Sequence, residues 1–135
     1  MTERENTVTG PKPRILVVDD SSLVRLYCRE VLERAGFEVE QAINGIEAME
    51  KVLEQTFDLV IVDVNMPRMD GFSFIRALRG SAPQAATLPA LVVTTEAGPQ
   101  DREEARASGA NFYLVKPVSE LDLLRHVAVL TGTPQ

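Results

Sequence analysis

The residues of this 135-residue chain that could do chemistry together stand directly after its short apolar runs. Three are carboxylates, one is a hydroxyl and one is an ammonium: Asp19, Asp20, Asp63, Thr94 and Lys116. Carboxylates held close together repel one another, and each has a raised pKa unless a cation compensates. Because the set offers oxygen ligands and no His or Cys, it favours Mg²⁺ or Mn²⁺ over zinc.

These residue types suit phosphoryl transfer, in which a protein mainly positions groups and neutralises charge on the phosphoryl oxygens. A divalent cation ligated by Asp20 and Asp63, together with Lys116 and the Thr94 hydroxyl, would bind those oxygens. One carboxylate can act as the nucleophile and form an acyl phosphate. Asp63 is the best candidate, because it stands alone after its run and precedes a loop, residues 64–71, that can cover the site.

For these residues to meet, the apolar runs must be parallel strands of one sheet. The runs show little polar alternation, which is typical of strands buried on both faces. We predict strands at 15–18, 37–43, 59–62, 90–93 and 111–115. We predict helices after Ser21 or Ser22, after Asn44–Gly45, at 72–78, from Pro99 or Gln100 to Ala107, and after Ser119, with a loop at 80–89. Five βα units in succession predict a parallel sheet with helices on both faces, where ligands bind beyond the carboxyl ends of the strands.

Composition narrows the class of protein. The length fits one domain, and a net charge of −6 with a pI near 4.8 argues against nonspecific binding to nucleic acid or anionic lipid. Cys28 is the single cysteine, which excludes an internal disulfide and favours a cytoplasmic location. The polar start is unlike a secretory signal, and we expect no membrane insertion. We expect a flexible N-terminal arm at 1–13, one domain at 14–131 and a short tail at 132–135.

At the strand ends, the sequence resembles the receiver domain of two-component response regulators, over nearly all of residues 14–130. The matching stretches are ILVVDD at 15–20, DLVIVDVNMP at 58–67 with MDG at 69–71, VVT at 92–94, GA at 109–110 and KP at 116–117. Their order, each at a strand end, makes the resemblance specific. It implies a flavodoxin-like (βα)5 fold, doubly wound, with five parallel strands in the order 2-1-3-4-5.

The resemblance also implies roles at the acidic site. Asp63 resembles the phosphoacceptor, and Asp20 and Asp63 resemble the Mg²⁺ ligands of the family. Asp19 would act through a metal-bound water, and the backbone carbonyl of Asn65 would complete the ligand set.

A second group of residues resembles the switch of the family. Lys116 resembles the lysine that pairs with the phosphoryl group, and its bond to Pro117 is often cis in receivers. Thr94 resembles the hydroxyl that moves toward the phosphoryl group, and Tyr113 the aromatic residue whose ring then turns inward.

Three further positions bear on the lifetime of the phosphoryl group. Asn65 and Glu96 flank the site, and the same pair occurs in single-domain chemotaxis response regulators, where a short-lived phosphoryl group is typical. Thr95 departs from that pattern, because a smaller alanine stands there in those proteins. The bulkier side chain could narrow access to the acyl phosphate.

The resemblance implies a stand-alone, chemotaxis-like receiver that accepts a phosphoryl group on Asp63 from a histidine kinase or phosphotransfer protein. We expect a phosphorylation-switched signalling protein rather than an enzyme, as a monomer or a phosphorylation-dependent dimer. An unknown downstream protein would bind the fourth predicted helix, the fifth strand and the fifth predicted helix.

The alternative function is a Mg²⁺-dependent phosphohydrolase of the haloacid dehalogenase type. Such enzymes have an acid/base aspartate at the position that Asn65 occupies in this chain. A third hypothesis is a flavodoxin-like electron carrier. The sequence argues against it, because no Ser/Thr-rich phosphate loop follows the first strand.

Overall fold

A computed structural model describes residues 12–133 of the chain. Most of the predicted arm at 1–13 and the last two residues of the predicted tail at 132–135 lie outside the described residues, so both stay predictions. The strands are β1 (Arg14–Val18), β2 (Glu38–Ala42), β3 (Leu59–Val62), β4 (Ala90–Thr94) and β5 (Phe112–Val115). The helices are α1 (Ser22–Arg34), α2 (Gly45–Glu54), α3 (Gly71–Arg79), α4 (Pro83–Ala86), α5 (Pro99–Ser108) and α6 (Glu120–Thr131).

The five strands form one parallel sheet in the order β2-β1-β3-β4-β5, which confirms the predicted fold class. Val18 of β1 lies opposite Val62 of β3, so the residues that follow the two strands emerge side by side. The chain winds from β1 to one edge of the sheet and from β3 to the other. A crevice therefore opens beyond the carboxyl ends of β1 and β3, where open α/β sheets bind their ligands.

Helices cover both faces of the sheet and bury two apolar clusters. One cluster lies against α2, α3, α4 and α5 and includes Phe74 and Ile75, and the other lies against α1 and α6 and includes Leu32 and Leu123. Each of these four side chains is at most 1% exposed. Burial of each such side chain stabilises the fold by about 1.5–3 kcal/mol, which makes the sheet a rigid support for the loops at its edge.

Capping side chains fix where the helices begin, and thus the lengths of the loops that carry the site. Each cap accepts a hydrogen bond from the backbone N–H three residues later: Ser21 before α1, Asn44 before α2, Asp70 before α3 and Ser119 before α6. The helix starts after Ser21 or Ser22, after Asn44–Gly45 and after Ser119 were predicted from the sequence, whereas Asp70 was not singled out as a cap.

The predicted loop at 80–89 was wrong in part, because α4 forms a single turn within it. Pro83 starts that turn, where its missing N–H costs no hydrogen bond. Four residues are too few to show helical periodicity in a sequence. Within residues 12–133, the structure has no helix of the length and hydropathy needed to cross a membrane.

Candidate functional site

The three predicted carboxylates meet at the carboxyl edge of the sheet. Asp19 and Asp20 follow β1, Asp63 follows β3, and one carboxylate oxygen from each lies within 4.8 Å of the others. Asp19 and Asp63 are buried, whereas Asp20 is exposed. The pairing of β1 with β3 places them there, because adjacent parallel strands of matched register end together.

Lys116 approaches the carboxylates from the end of β5. Its backbone N–H donates to the Thr94 carbonyl at 2.8 Å, which ties it to the end of β4, and the Lys116–Pro117 peptide bond is cis. Its Nζ lies 2.8 Å from Asp19 Oδ2 and 3.6 Å from Asp63 Oδ2. Burial works against the ammonium, but the Asp19 and Asp63 carboxylates outweigh it and raise the pKa of Lys116. Lys116 is therefore a fixed positive charge beside the site.

Asp63 has a raised pKa, and burial is the main cause. The positive charge of Lys116 opposes the rise, Asp19 adds to it, and hydrogen bonding from Thr94 and the Val64 N–H lowers it again. The Val64 N–H donates to Asp63 Oδ1 at 2.8 Å. Asp63 is therefore a partly desolvated carboxylate, and an additional cation beside it would stabilise its ionised form.

The carboxylate oxygens of Asp19 and Asp20 differ in the hydrogen bonds that they accept from the protein. Asp19 Oδ1 accepts from the Ser21 N–H at 2.9 Å, and Oδ2 accepts from Lys116. Within residues 12–133, the carboxylate of Asp20 accepts no hydrogen bond. Asp20 and Asn65 line one cleft of about 570 Å³ beside Asp63. This donor set fits a hard divalent cation, with Asp20 better placed for direct ligation than Asp19.

The loop between β3 and α3 is held tightly over the site. Arg68 and Met69 have φ values of 54° and 76°, in the left-handed region that disfavours side chains. The Gly71 N–H donates to the Val64 carbonyl at 3.0 Å, and a Cβ on Gly71 would lie 2.3 Å from the Asp63 carbonyl oxygen. Such backbone strain costs about 1–3 kcal/mol at each residue and persists only where the surroundings impose it.

Asn65, Glu96 and Thr94 form a connected group on one side of Asp63. Asn65 Nδ2 donates to Glu96 Oε2 at 2.9 Å, which closes one side of the cleft. The Glu96 N–H donates to Thr94 Oγ1 at 3.3 Å, and Thr94 is fully buried. The two predicted flanking residues are thus in direct contact, and the Thr94 hydroxyl is linked to the loop after β4.

Tyr113 is half-buried and joins the same group through its hydroxyl, which donates to the Glu96 carbonyl. Burial is the main cause of the raised pKa of its phenol. The guanidinium carbon of Arg102 lies 4.9 Å from the centre of the ring, a contact that sequence reasoning missed. Arg102 and Tyr113 are 11 positions apart, and no periodicity links a helix to the strand that follows it.

Thr95 lies apart from the acidic cleft. Its side chain is exposed and lines an apolar groove of about 600 Å³ with Tyr27, Cys28 and Lys116. Its predicted effect on access to Asp63 stays a prediction.

Comparison with known proteins gives a family for this arrangement. The profile of the response regulator receiver domain matches residues 15–128. The gliding motility regulatory protein of Myxococcus xanthus is 41% identical over 103 residues, which make up 76% of this chain and 13% of that protein. The chain thus spans a small part of that relative.

Solved structures show the same fold. The chemotaxis protein CheY4 of Vibrio cholerae has a TM-score of 0.84 and 40% identity, over 89% of this chain and 99% of that one. The receiver domain of the sensor histidine kinase PA1611 of Pseudomonas aeruginosa PAO1 has a TM-score of 0.84 and 28% identity, over 91% of this chain and 100% of that one. That structure holds a magnesium ion coordinated in its active-site cleft.

Proposed function

The chain belongs to the response regulator receiver family of two-component systems, and on that premise we propose that it accepts a phosphoryl group on Asp63 and switches a protein-binding surface. The observation that carries the proposal is the meeting of Asp63 with a second carboxylate, Asp20, and with the ammonium of Lys116. A carboxylate set between a cation site and a fixed ammonium is suited to attack phosphorus, because both charges stabilise the transferring group.

The proposed step is a phosphoryl transfer from a phosphohistidine of a histidine kinase or phosphotransfer protein. A carboxylate oxygen of Asp63 forms the new P–O bond while the donor's P–N bond breaks, and that electron pair returns to the imidazole nitrogen. Lys116 balances negative charge on the phosphoryl oxygens, and the buried Thr94 hydroxyl can donate to one of them. Hydrolysis of the acyl phosphate returns Asp63 to its starting state.

The cation in this proposal is Mg²⁺, or Mn²⁺ in its place. Asp20, Asp63 and the backbone carbonyl of Asn65 would hold it, with Asp19 contributing through a water. When bound, the ion neutralises charge on the carboxylates and on the phosphoryl oxygens. Because both oxygens of Asp19 already accept hydrogen bonds, from the Ser21 N–H and from Lys116, Asp19 is suited to fix Lys116 and to contact the ion through a water rather than to ligate it directly.

The switch in this proposal runs from Asp63 through Thr94 to Tyr113. A phosphoryl group on Asp63 draws the Thr94 hydroxyl toward it, which disturbs the hydrogen bond from the Glu96 N–H. Tyr113 depends on the carbonyl of the same Glu96, so the ring responds to the loop. Tyr113 belongs to β5 and its ring contacts Arg102 of α5, so the α5–β5–α6 surface is the one that changes for a downstream protein.

We also propose the cellular location of the chain, its binding partners, and that it has no enzymatic activity on other molecules. One cysteine, the buried Cys28, fits a cytoplasmic location, where thiols stay reduced. The proposed partners are the phosphodonor and an unidentified downstream protein. Chemotaxis-like signalling by a monomer or a phosphorylation-dependent dimer belongs to the same proposal.

The alternative hypothesis, a phosphohydrolase that acts through an aspartyl phosphate, lacks the acid/base residue that it requires. Such an enzyme needs an acid next to the leaving group. Two residues after Asp63, this chain has the amide of Asn65, which donates a hydrogen bond to Glu96. An amide does not protonate a leaving group near neutral pH.

Intact-mass analysis with acetyl phosphate and Mg²⁺ tests the proposal. We expect a mass increase of one phosphoryl group that peptide mapping places on Asp63, with no increase in Asp63→Asn or in EDTA. Asp58→Asn is the matched control, because Asp58 is exposed and precedes the same strand. Continuous release of phosphate from small esters, without a stable label, would support the hydrolase instead.

A further inference from the structure

The guanidinium of Arg25, near the start of α1, reaches back to the corner where β1 ends. Its Nη1 donates to the backbone carbonyl of Asp19 at 2.7 Å. Its Nε donates to Gln41 Oε1, at the end of β2, at 3.0 Å. Both bonds are partly buried, and both acceptors are uncharged. A helix N-terminus disfavours cations, so the helix gives no reason for an arginine there.

The bond to Asp19 constrains the residue after it. A peptide unit is planar, so the Asp19 carbonyl is rigidly connected to the nitrogen and Cα of Asp20. The Asp19 N–H is held as well, because it donates to the Ala42 carbonyl at 3.1 Å. The carboxylate of Asp20 accepts no hydrogen bond from residues 12–133, so its direction depends on this backbone.

We propose that Arg25 is a positioning residue of the cation site: it holds the Asp19–Asp20 peptide so that the Asp20 carboxylate faces Asp63. The inference rests on the proposed function, in which these two carboxylates hold Mg²⁺. Gln41 is the second anchor of the guanidinium and links the site to the outer strand β2. Arginine suits the task because its planar fork donates in two fixed directions at once.

The charge of Arg25 and its hydrogen bonds affect cation binding with opposite signs. A positive charge near three carboxylates repels Mg²⁺, so loss of the charge alone would tighten binding. Loss of the hydrogen bond to Asp19 frees the peptide and would weaken binding. Arg25→Lys keeps the charge and loses the fork, and Arg25→Gln loses the charge. The pair of variants therefore separates positioning from simple electrostatics.

Titration of the full chain with MgCl₂, followed by amide NMR shifts, tests the inference without any phosphodonor. We expect Arg25→Lys to bind Mg²⁺ roughly tenfold more weakly than wild type, the scale of losses when groups that orient metal ligands are removed. Arg25→Gln should also bind more weakly, despite its lost charge. Arg29→Lys is the control, because Arg29 is exposed one turn later and pairs with Glu33. The amide spectrum shows in the same experiment whether each variant is folded.

A second variant and a second readout keep the test decisive. Gln41→Ala leaves α1 intact and should weaken Mg²⁺ binding in the same direction by a smaller factor. In acetyl phosphate labelling, Arg25→Lys should raise the half-saturating Mg²⁺ concentration, whereas Arg29→Lys should leave it unchanged. Binding by Arg25→Lys within twofold of wild type, or tighter binding by Arg25→Gln, overturns the inference alone. Failure of wild type to bind Mg²⁺ overturns the proposed function with it.

Discussion

At the scale of single residues, the chemistry depends on one carboxylate that folding places in an unfavourable setting. Burial raises the pKa of Asp63, and Lys116 offsets only part of this effect. Asp19 shares the same ammonium at the shorter distance, 2.8 Å against 3.6 Å. Ionisation of Asp63 is therefore less favourable in the folded protein than in the unfolded chain, and a cation at the site would offset this cost.

Asp63→Asn is expected to stabilise the protein near neutral pH in EDTA. The folded state binds the Asp63 proton more tightly than the unfolded chain does, so the contribution of this group to stability falls as the pH rises above its ordinary pKa of 3.8. It stops falling once the pH exceeds the raised pKa of the folded state. Thermal unfolding of both proteins from acid to neutral pH should show a gain for the variant that shrinks toward acid pH.

Glu30→Gln is the control for this prediction, because Glu30 is exposed on α1 and the substitution changes the charge equally. It should show no such pH-dependent gain. Equal stability of Asp63→Asn and wild type at every pH would contradict the raised pKa of Asp63.

A site residue could be predicted from the sequence only where the order of the strands alone determines its position. Asp63, Thr94 and Lys116 were predictable, because strand ends in a parallel sheet share one edge whatever the details of packing. Arg25 and Arg102 were not, because a long side chain reaches its partner only through the tertiary arrangement of helix and strand.

At the scale of elements, the turn from β3 into α3 limits what the site can tolerate. Gly71 lies so close to the Asp63 carbonyl that a side chain would push against rigid backbone, not against a mobile side chain. The strained residues Arg68 and Met69 come just before it. The loop over Asp63 is therefore set by backbone contacts and has little room to adjust.

Gly71→Ala is expected to destabilise the protein by about 1–3 kcal/mol, as overpacking at a rigid position does. It should also slow labelling of Asp63, because the backbone of that residue must move. Gly80→Ala is the matched control at the other end of α3, where an added Cβ lies 3.7 Å from its nearest neighbour. Chemical denaturation and acetyl phosphate labelling of both variants check this. Similar effects of the two substitutions would refute the role given to Gly71.

The elements themselves were predicted well where apolar patterning is strong. β1, β3 and β4 each contain a continuous run of four apolar residues, and their positions follow from burial on both faces. β2 was predicted two residues too long, since it mixes charged and apolar residues at the edge of the sheet. The single turn of α4 left no pattern to find.

At the scale of the whole molecule, a set of contacts runs from Thr94, at the carboxyl edge of the sheet, to β5 and α5. Thr94 contacts the Glu96 N–H, and the Glu96 carbonyl accepts from Tyr113. Arg102 of α5 lies over the tyrosine ring. Coupling between two such sites is typically worth about 1–3 kcal/mol, enough to change the affinity for a partner.

Hydrogen exchange with and without phosphorylation should reveal this coupling. We expect changed amide protection in α5 and β5 of wild type after labelling with acetyl phosphate and Mg²⁺. Thr94→Ala should still be labelled on Asp63 but show a smaller change, because the link to Glu96 is gone. Ser73→Ala is the control, because Ser73 lies in the first turn of α3 and its hydroxyl donates to Asp70 rather than to the Thr94–Glu96 group. An undiminished response in Thr94→Ala would exclude this route.

The most direct measurement is a crystal structure of the chain with Mg²⁺ and beryllofluoride, which imitates a phosphoryl group bonded to a carboxylate. The expected result is beryllium bonded to Asp63, a magnesium ion held by Asp20, Asp63 and the Asn65 carbonyl, and Lys116 Nζ against a fluoride. Beryllofluoride on Asp19 or Asp20, or a magnesium ion bound without Asp63, would contradict the assignment of Asp63 as the phosphoacceptor.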